Sequence, residues 1–295
     1  MTQDNKNRIT KENEKLTDIW YTEKYKDVLG LTFKIKDILH SEYSDFQKVE
    51  IIETEAYGKM LLLDGLVMTT EKDEFFYHEM ISHIPMLAHQ NPERVLIVGG
   101  GDGGTVREVL KHPSVKEVVL CEIDGAVIEV SKKYLPSIAG KLDDSRVKIN
   151  VEDAIEYMKR QSKNFDVILI DSTDPMGPGE GLFTEDFYTN VKNALKEGGV
   201  MAAQSESPIL NQKELGLISS LLKKVFPVVK TYIAPVPTYP GSFWSWTFCS
   251  EIVNPTEIKN IKAAEEIEKH AKLYNREFHK SVFVLPNFIR DIVKQ

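Results

Sequence analysis

The chain has 295 residues, a hydrophobic content of 42% and a formal net charge of −8. It is long enough to bury an α/β core, and its acidic balance argues against a nucleic-acid-binding surface and suits cationic ligands. No apolar run could span a membrane, and the polar start from Thr2 to Lys15 lacks the apolar segment of a signal peptide. We therefore expect a cytoplasmic protein that binds neither nucleic acid nor membranes.

The first part of the chain predicts antiparallel hairpins between about residues 18 and 70. Apolar segments that suit strands occur at 31–39 and 46–52, and a third, at 60–68, turns at Asp64-Gly65. We expect these hairpins to form a small β domain over residues 1–72.

From residue 73 to residue 295 the pattern changes to strands that alternate with helices. A helix begins near Asp73, and an amphipathic helix is predicted at 256–274. The buried-strand patterns predict a doubly wound, Rossmann-type sheet of seven strands, at residues 95–98, 118–121, 147–151, 167–170, 199–203, 228–233 and 243–249. Cys121 and Cys249 lie in two of these strands without metal-ligand spacing, so we expect buried free thiols.

A glycine-rich turn follows the first of these strands and leads into a helix predicted from Thr105 to Lys111. The spacing of Gly99, Gly101 and Gly104 is typical of dinucleotide-binding turns, although such turns also occur for backbone reasons alone. Asp102 lies inside the turn and would repel a pyrophosphate. A cationic ligand therefore fits better, while an NAD-dependent oxidoreductase remains an alternative.

Four consecutive strands end in acids: Asp102, Glu122, Asp153 and Asp171. Ligands of open α/β sheets bind at the carboxyl ends of the strands, and an acid about 20 residues beyond the glycine turn is expected at ribose hydroxyls. Glu122 fits that role, and Asp153 is placed to meet a purine edge. The Pro- and Gly-rich segment 172–182 has the composition of a loop that could order over the site when ligands bind.

These segments resemble the aminopropyltransferases, specifically the spermidine synthases of bacteria. The resemblance runs from about Trp20 to Phe288 and rests on Leu63-Asp64-Gly65, residues 70–80, the turn 99–104, Cys121-Glu122-Ile123-Asp124, Asp171-Ser172-Thr173-Asp174-Pro175 and Thr238-Tyr239-Pro240-Gly241. It implies a methyltransferase-like Rossmann domain and a homodimer or homotetramer. It also implies transfer of an aminopropyl group from decarboxylated S-adenosylmethionine to putrescine, which gives spermidine and methylthioadenosine. The donor is a co-substrate, so neither a cofactor nor a metal is expected.

The resemblance also implies roles for individual residues. Asp171 is the expected general base, and Asp102 would pair with the donor's ammonium and repel the carboxylate of intact S-adenosylmethionine. The residues implied at the amine are Tyr77, His78, Asp102, Asp174, Gln204 and Tyr239. Those implied at the donor are Gln47, His78, Gly99, Gly101, Asp102, Glu122, Asp153, Ala154, Asp171 and Pro178.

Structural alternatives accompany several of these roles. Tyr77 and Tyr239 could simply pack in the core, and Thr70 could cap a helix that begins in the acidic cluster 71–74. His78 and His83 are one residue too far apart for a zinc-binding His-Glu-x-x-His motif. Cadaverine, agmatine or spermidine could replace putrescine as the acceptor, and a non-catalytic polyamine-binding module is the remaining alternative.

Overall fold

The computed structural model describes residues 18–173 and 177–294. Its N-terminal part is a five-stranded antiparallel sheet in chain order, formed by β1 (Ile19–Tyr25), β2 (Leu29–Tyr43), β3 (Lys48–Thr54), β4 (Gly58–Leu63) and β5 (Leu66–Thr70). The predicted hairpins are present, and β1 lengthens the sheet beyond the segments identified from sequence. The boundary of a separate domain at residue 72 stays a prediction.

The second sheet has seven strands in the order β11-β12-β10-β9-β6-β7-β8, namely β6 (Arg94–Gly99), β7 (Glu117–Glu122), β8 (Val147–Val151), β9 (Phe165–Asp171), β10 (Leu195–Gln204), β11 (Val228–Pro235) and β12 (Phe243–Ser250). Strands β6 to β10 run parallel, whereas β12 is antiparallel to both β10 and β11. The predicted fold class is confirmed. The strand order reverses beside β6, which places a ligand crevice at its carboxyl end.

The described ranges contain ten α-helices, namely α1 (Phe75–Ala88), α2 (Gly104–Val109), α3 (Gly125–Tyr134), α4 (Pro136–Ala139), α5 (Ala154–Lys159), α6 (Glu185–Ala194), α7 (Gln212–Val225), α8 (Ile261–His270), α9 (Arg276–Ser281) and α10 (Asn287–Val293). A 3₁₀ helix, Gly177–Leu182, occupies part of the predicted loop. None of the helices in these ranges could cross a membrane. The cytoplasmic location stays a prediction.

Helix α8 is shorter than the helix predicted over 256–274, and both of its ends have a structural cause. The Asn260 side chain caps its start by accepting a hydrogen bond of 3.0 Å from the Ala263 N–H. Beyond its end, the buried Glu79 carboxylate accepts hydrogen bonds of 2.8 Å from the N–H groups of Lys272, Leu273 and Tyr274. Glu79 lies far away in the sequence, so local periodicity gives no signal of this ending.

Helices cover both faces of the large sheet. Successive strand residues point to opposite faces, so Ile97 and Leu169 belong to one buried cluster, with α1, while Val98 and Ile170 belong to the other, with α6. Strands β3 and β4 pack their apolar side chains against α3. The small sheet therefore lies over the carboxyl ends of the large one. Both cysteines are buried and free.

Candidate active site

A cleft lies between the two sheets, at the carboxyl ends of β6, β7 and β9. Eleven of the predicted site residues line it together: Gln47, Tyr77, His78, Gly99, Gly101, Asp102, Glu122, Asp153, Ala154, Asp171 and Tyr239. Gln204 lines a smaller adjoining chamber instead. Asp174 lies outside the described residues, as does the side chain of Pro178, so their predicted contacts stay predictions.

The glycines of the turn make room for the site's own side chains. Gly100 has a φ of 71°, and a Cβ atom there would lie 2.7 Å from Oδ2 of Asp171. A Cβ atom at Gly104 would lie 2.2 Å from the His78 ring. Asp171 and His78 therefore approach these glycines closely, and the approach of a ligand to the backbone of the turn stays a prediction.

Asp171 ends β9 with a carboxylate that is held in place from α2. The Thr105 hydroxyl donates a hydrogen bond of 2.6 Å to its Oδ2. Burial raises the pKa of Asp171, and the nearby Asp102 carboxylate raises that pKa further. Burial and the Asp171 charge likewise hold the pKa of Tyr77 well above its ordinary value, so Tyr77 stays a hydrogen-bond donor. The arrangement suits a carboxylate that accepts a proton.

Asp102 is joined to His78 across the mouth of the cleft. Its Oδ1 accepts a hydrogen bond of 2.8 Å from the Gly104 N–H, and its Oδ2 lies 3.3 Å from Nε2 of His78. The other ring nitrogen of His78, Nδ1, lies 2.7 Å from Oε2 of Glu74. Burial alone would lower the pKa of His78, but the two carboxylates outweigh it and hold that pKa well above its ordinary value.

Glu122 is positioned by backbone groups at the end of β7. Its Oε2 accepts a hydrogen bond of 3.1 Å from the Gly101 N–H, and its Oε1 accepts one of 3.0 Å from the Asp124 N–H. Burial raises the pKa of Glu122 to about 7, against the lowering effect of these two bonds. Gln47 lies between β2 and β3 of the small sheet, and its Nε2 donates a hydrogen bond of 2.9 Å to Oδ2 of Asp124.

Asp153 and Ala154 begin α5 beside Glu122. The exposed Asp153 side chain caps the helix, with Oδ1 accepting a hydrogen bond of 2.8 Å from the Ile155 N–H. The cap and a ligand contact are compatible, because a carboxylate has a second oxygen.

The adjoining chamber shares Tyr77, Tyr239 and the residues that follow Asp171 with the main cleft. The buried Gln204 amide donates to Thr173 O and to Glu206 Oε1, both at 3.3 Å. Tyr239 is fixed by a hydrogen bond of 2.7 Å from its hydroxyl to Met68 O in the small sheet. The chamber is therefore a mainly apolar extension of the cleft, which begins next to Asp171 and carries a few polar groups.

Known proteins match nearly the whole chain. Residues 74–260 match the "spermine/spermidine synthase domain" model, and residues 19–71 match the "spermidine synthase tetramerisation domain" model. The polyamine aminopropyltransferase of Bacillus subtilis strain 168 is 47% identical over 95% of this chain and 100% of its own length. That of Thermoanaerobacter sp. strain X514 is 50% identical, over 93% of this chain and 98% of its own.

The chain belongs to the spermine/spermidine synthase family of aminopropyltransferases.

Solved structures agree with this assignment. A spermidine synthase in complex with the transition-state analogue AdoDATO superposes with a TM-score of 0.92 at 44% identity, covering 96% of this chain and 99% of its own. The spermidine synthase of Thermotoga maritima gives a TM-score of 0.90 at 43% identity, covering 96% and 98%. Neither an NAD-dependent oxidoreductase nor a non-catalytic binding module agrees with membership of this enzyme family.

His83 lies away from the cleft of this aminopropyltransferase. Its ring is fully buried, and its Nδ1 lies 3.0 Å from Nε2 of His112. Within residues 18–173 and 177–294, no three or more histidine, cysteine or acidic side chains are grouped closely enough to hold a metal ion. Thr70 does not cap α1 directly, because α1 begins after Glu74. The Thr70 hydroxyl instead accepts a hydrogen bond of 3.3 Å from the Asp73 N–H, in the turn that precedes the helix.

Several residues in or beside the site were missed from sequence. Thr105 and Arg107 lie in α2, Glu23 lies in β1, and the fully buried Glu206 follows β10. The pairing of Glu74 with His78 was also missed, although a spacing of four residues is the spacing at which helical side chains meet. Glu23 carried no comparable local signal, because only the tertiary fold brings β1 to the chamber.

Proposed function

We propose that this enzyme transfers the aminopropyl group of decarboxylated S-adenosylmethionine to putrescine, with Asp171 as the general base. The observation that carries the proposal is the position of Asp171, a buried carboxylate of raised pKa where the main cleft meets the adjoining chamber. A proton acceptor between two substrate compartments is what amine attack on a sulfonium requires.

The donor fits the main cleft. Glu122 would accept hydrogen bonds from the ribose hydroxyls, and Asp153 with the Ala154 N–H would meet the adenine edge. Gln47 closes this end from the small sheet. The donor's ammonium would pair with Asp102, which has 13% of its side chain exposed. A carboxylate at that point favours the decarboxylated donor over intact S-adenosylmethionine through like-charge repulsion.

The acceptor fits the adjoining chamber. Its near amine would lie between Asp171 and Tyr77, and its far ammonium would extend toward Glu23 and Gln204. Tyr239 and Trp244 form an aromatic wall with ring centroids 4.8 Å apart. A short aliphatic chain between two cationic ends matches this order of groups, in which the aromatic wall lies between Asp171 and Glu23.

The reaction needs one proton transfer and one displacement. Asp171 first takes a proton from the near ammonium of the acceptor. The resulting amine nitrogen attacks the carbon next to sulfur, the new C–N bond forms, and the C–S bond breaks with its electron pair returning to sulfur. The leaving group is a neutral thioether, so no acid is required, and in-line positioning of two cations that otherwise repel each other supplies much of the rate.

We also propose a homodimer or homotetramer assembled through the small sheet. Its first two strands and their turn expose large apolar side chains, including Ile19, Trp20, Val28 and Ile38, whose exposed fractions are 57%, 55%, 80% and 59%. A hairpin that exposes several large apolar side chains is typical of a protein interface. The match of residues 19–71 to a tetramerisation model supports the same assignment.

An amine competition assay tests the substrate assignment. The enzyme would receive the decarboxylated donor with equal concentrations of isotope-labelled putrescine and of unlabelled cadaverine, agmatine and spermidine, and the products would be separated by mass spectrometry. Labelled spermidine, formed in the same amount as methylthioadenosine, is the expected main product. Preference for another amine would overturn the acceptor assignment, and absence of methylthioadenosine would overturn the transfer itself.

A further inference from the structure

We propose that Glu74, held by Arg107, is a positioning residue that fixes the His78 ring, and that a bound substrate ammonium displaces the proton on Nε2 of His78. The proposal rests on the proposed function, since it needs the donor's ammonium at Asp102. It gives a role to the buried ion pair of Glu74 and Arg107, which the transfer reaction does not otherwise use.

The geometry defines two different sides of the His78 ring. On the inner side, Nδ1 lies 2.7 Å from Oε2 of Glu74, and the same oxygen accepts a hydrogen bond of 2.6 Å from Nη2 of Arg107. On the cleft side, Nε2 lies 3.3 Å from Oδ2 of Asp102. Gly104 packs directly against the ring, which leaves no space for another side chain there.

Arg107 helps to determine which ring nitrogen of His78 gains and loses a proton. Its guanidinium also contacts the buried Glu108 and so neutralises charge behind Glu74. With an acceptor fixed at Nδ1, that nitrogen keeps its hydrogen in both states of the ring. Protonation and deprotonation then occur at Nε2, which is the atom that faces the cleft.

Several groups face His78 from the elements around it: Glu74 directly before α1, Tyr77 on α1, Asp102 and Gly104 in the glycine turn, Arg107 on α2 and Asp171 at the end of β9. The carboxylates of Asp102 and Glu74 keep the pKa of His78 high in the empty site, so the ring is a cation there. A substrate ammonium at Asp102 supplies a second cation at the same carboxylate. Two adjacent cations repel, so the ring gives up its Nε2 proton and becomes an acceptor for the ammonium N–H.

Proton release on binding tests the exchange. Titration calorimetry of decarboxylated S-adenosylmethionine at neutral pH, in phosphate and in Tris, gives the number of protons released from the dependence of enthalpy on the buffer. The same titration with methylthioadenosine, which lacks the aminopropyl cation, accounts for protons released by Glu122. We expect the donor to release more protons than methylthioadenosine, by on the order of one per site.

Variants distinguish proton release by His78 from proton release by Asp171, because the pKa of Asp171 also responds to a bound cation. His78→Gln should remove most of the difference in proton release between the two ligands, and Glu74→Gln should reduce that difference. His270→Gln, at an exposed position on α8, should leave it unchanged. Equal release by both ligands in the wild type, or a full difference in His78→Gln, overturns the inference alone. Failure of the donor to bind contradicts the proposed function and the inference together.

Discussion

The hydroxyl of Thr105 donates a hydrogen bond of 2.6 Å to Oδ2 of Asp171. This bond joins the start of α2, which follows the glycine turn, to the end of β9, which is paired with β6. It orients a carboxylate that is buried and close to Asp102, both of which raise its pKa. Asp171 therefore combines a fixed position with an increased affinity for protons.

The rate of transfer should rise with pH through the neutral range. The base must be ionised to accept a proton, and a raised pKa moves the ionisation of Asp171 to higher pH than that of a surface aspartate. Deprotonation of the acceptor amine acts in the same direction. Measurement of kcat/KM for putrescine from about pH 6 to 9 checks this. A flat profile would show that proton removal does not limit the rate.

Asp171→Asn should stabilise the empty protein at neutral pH. The raised folded-state pKa means that the folded protein binds the proton more tightly than the unfolded chain does, so stability falls as pH rises through that folded-state pKa. Asparagine cannot ionise and can still accept the Thr105 bond. We expect a gain of about 1 kcal/mol in the free energy of unfolding, measured by urea denaturation. Asp186→Asn, on the exposed first turn of α6, is the control without such a gain.

Asp102→Asn should weaken binding of the decarboxylated donor by about 2 kcal/mol and narrow the preference over intact S-adenosylmethionine. The asparagine oxygen can keep the bond from the Gly104 N–H, so the turn itself should persist. Calorimetry with both nucleotides measures the ratio of affinities. An unchanged ratio would mean that Asp102 supports the turn and does not bind the ligand.

Gly104→Ala should impair donor binding and lower stability by about 1 to 3 kcal/mol, because the new Cβ atom would lie 2.2 Å from the His78 ring and must displace it. Gly216→Ala in α7 is the matched control, since its Cβ atom would meet nothing closer than 3.6 Å. That control should gain about 0.5 to 1 kcal/mol from better helix propensity. Equal stability of the two variants in thermal unfolding would contradict the predicted clash.

The fold was largely predictable because its signals are local. Apolar strands such as 95–98 and the acids at their ends identified the sheet and the edge where its ligands bind. Strand β1 was not identified from sequence because its hairpin turns without a glycine. The turn residues Lys26 and Asp27 have positive φ values of 49° and 52°, respectively. The pair Lys26-Asp27 lacks the glycine that usually marks a two-residue hairpin turn.

The site was less predictable where it depends on contacts between distant segments. Asp102 and Glu122 follow strands, so the strand-end rule found them. Thr105 and Arg107 matter only because α2 packs against α1 and its first turn reaches the end of β9, and Glu23 matters because the small sheet lies over the large one. Such contacts are set by tertiary packing, which a single sequence does not display.

The most direct test of Asp171 as the base is a single-turnover measurement on Asp171→Asn with decarboxylated S-adenosylmethionine and saturating putrescine. Loss of a general base should slow formation of spermidine by about 100- to 10,000-fold, while the dissociation constant of methylthioadenosine stays close to the wild-type value. A variant that forms spermidine at the wild-type rate would contradict the account.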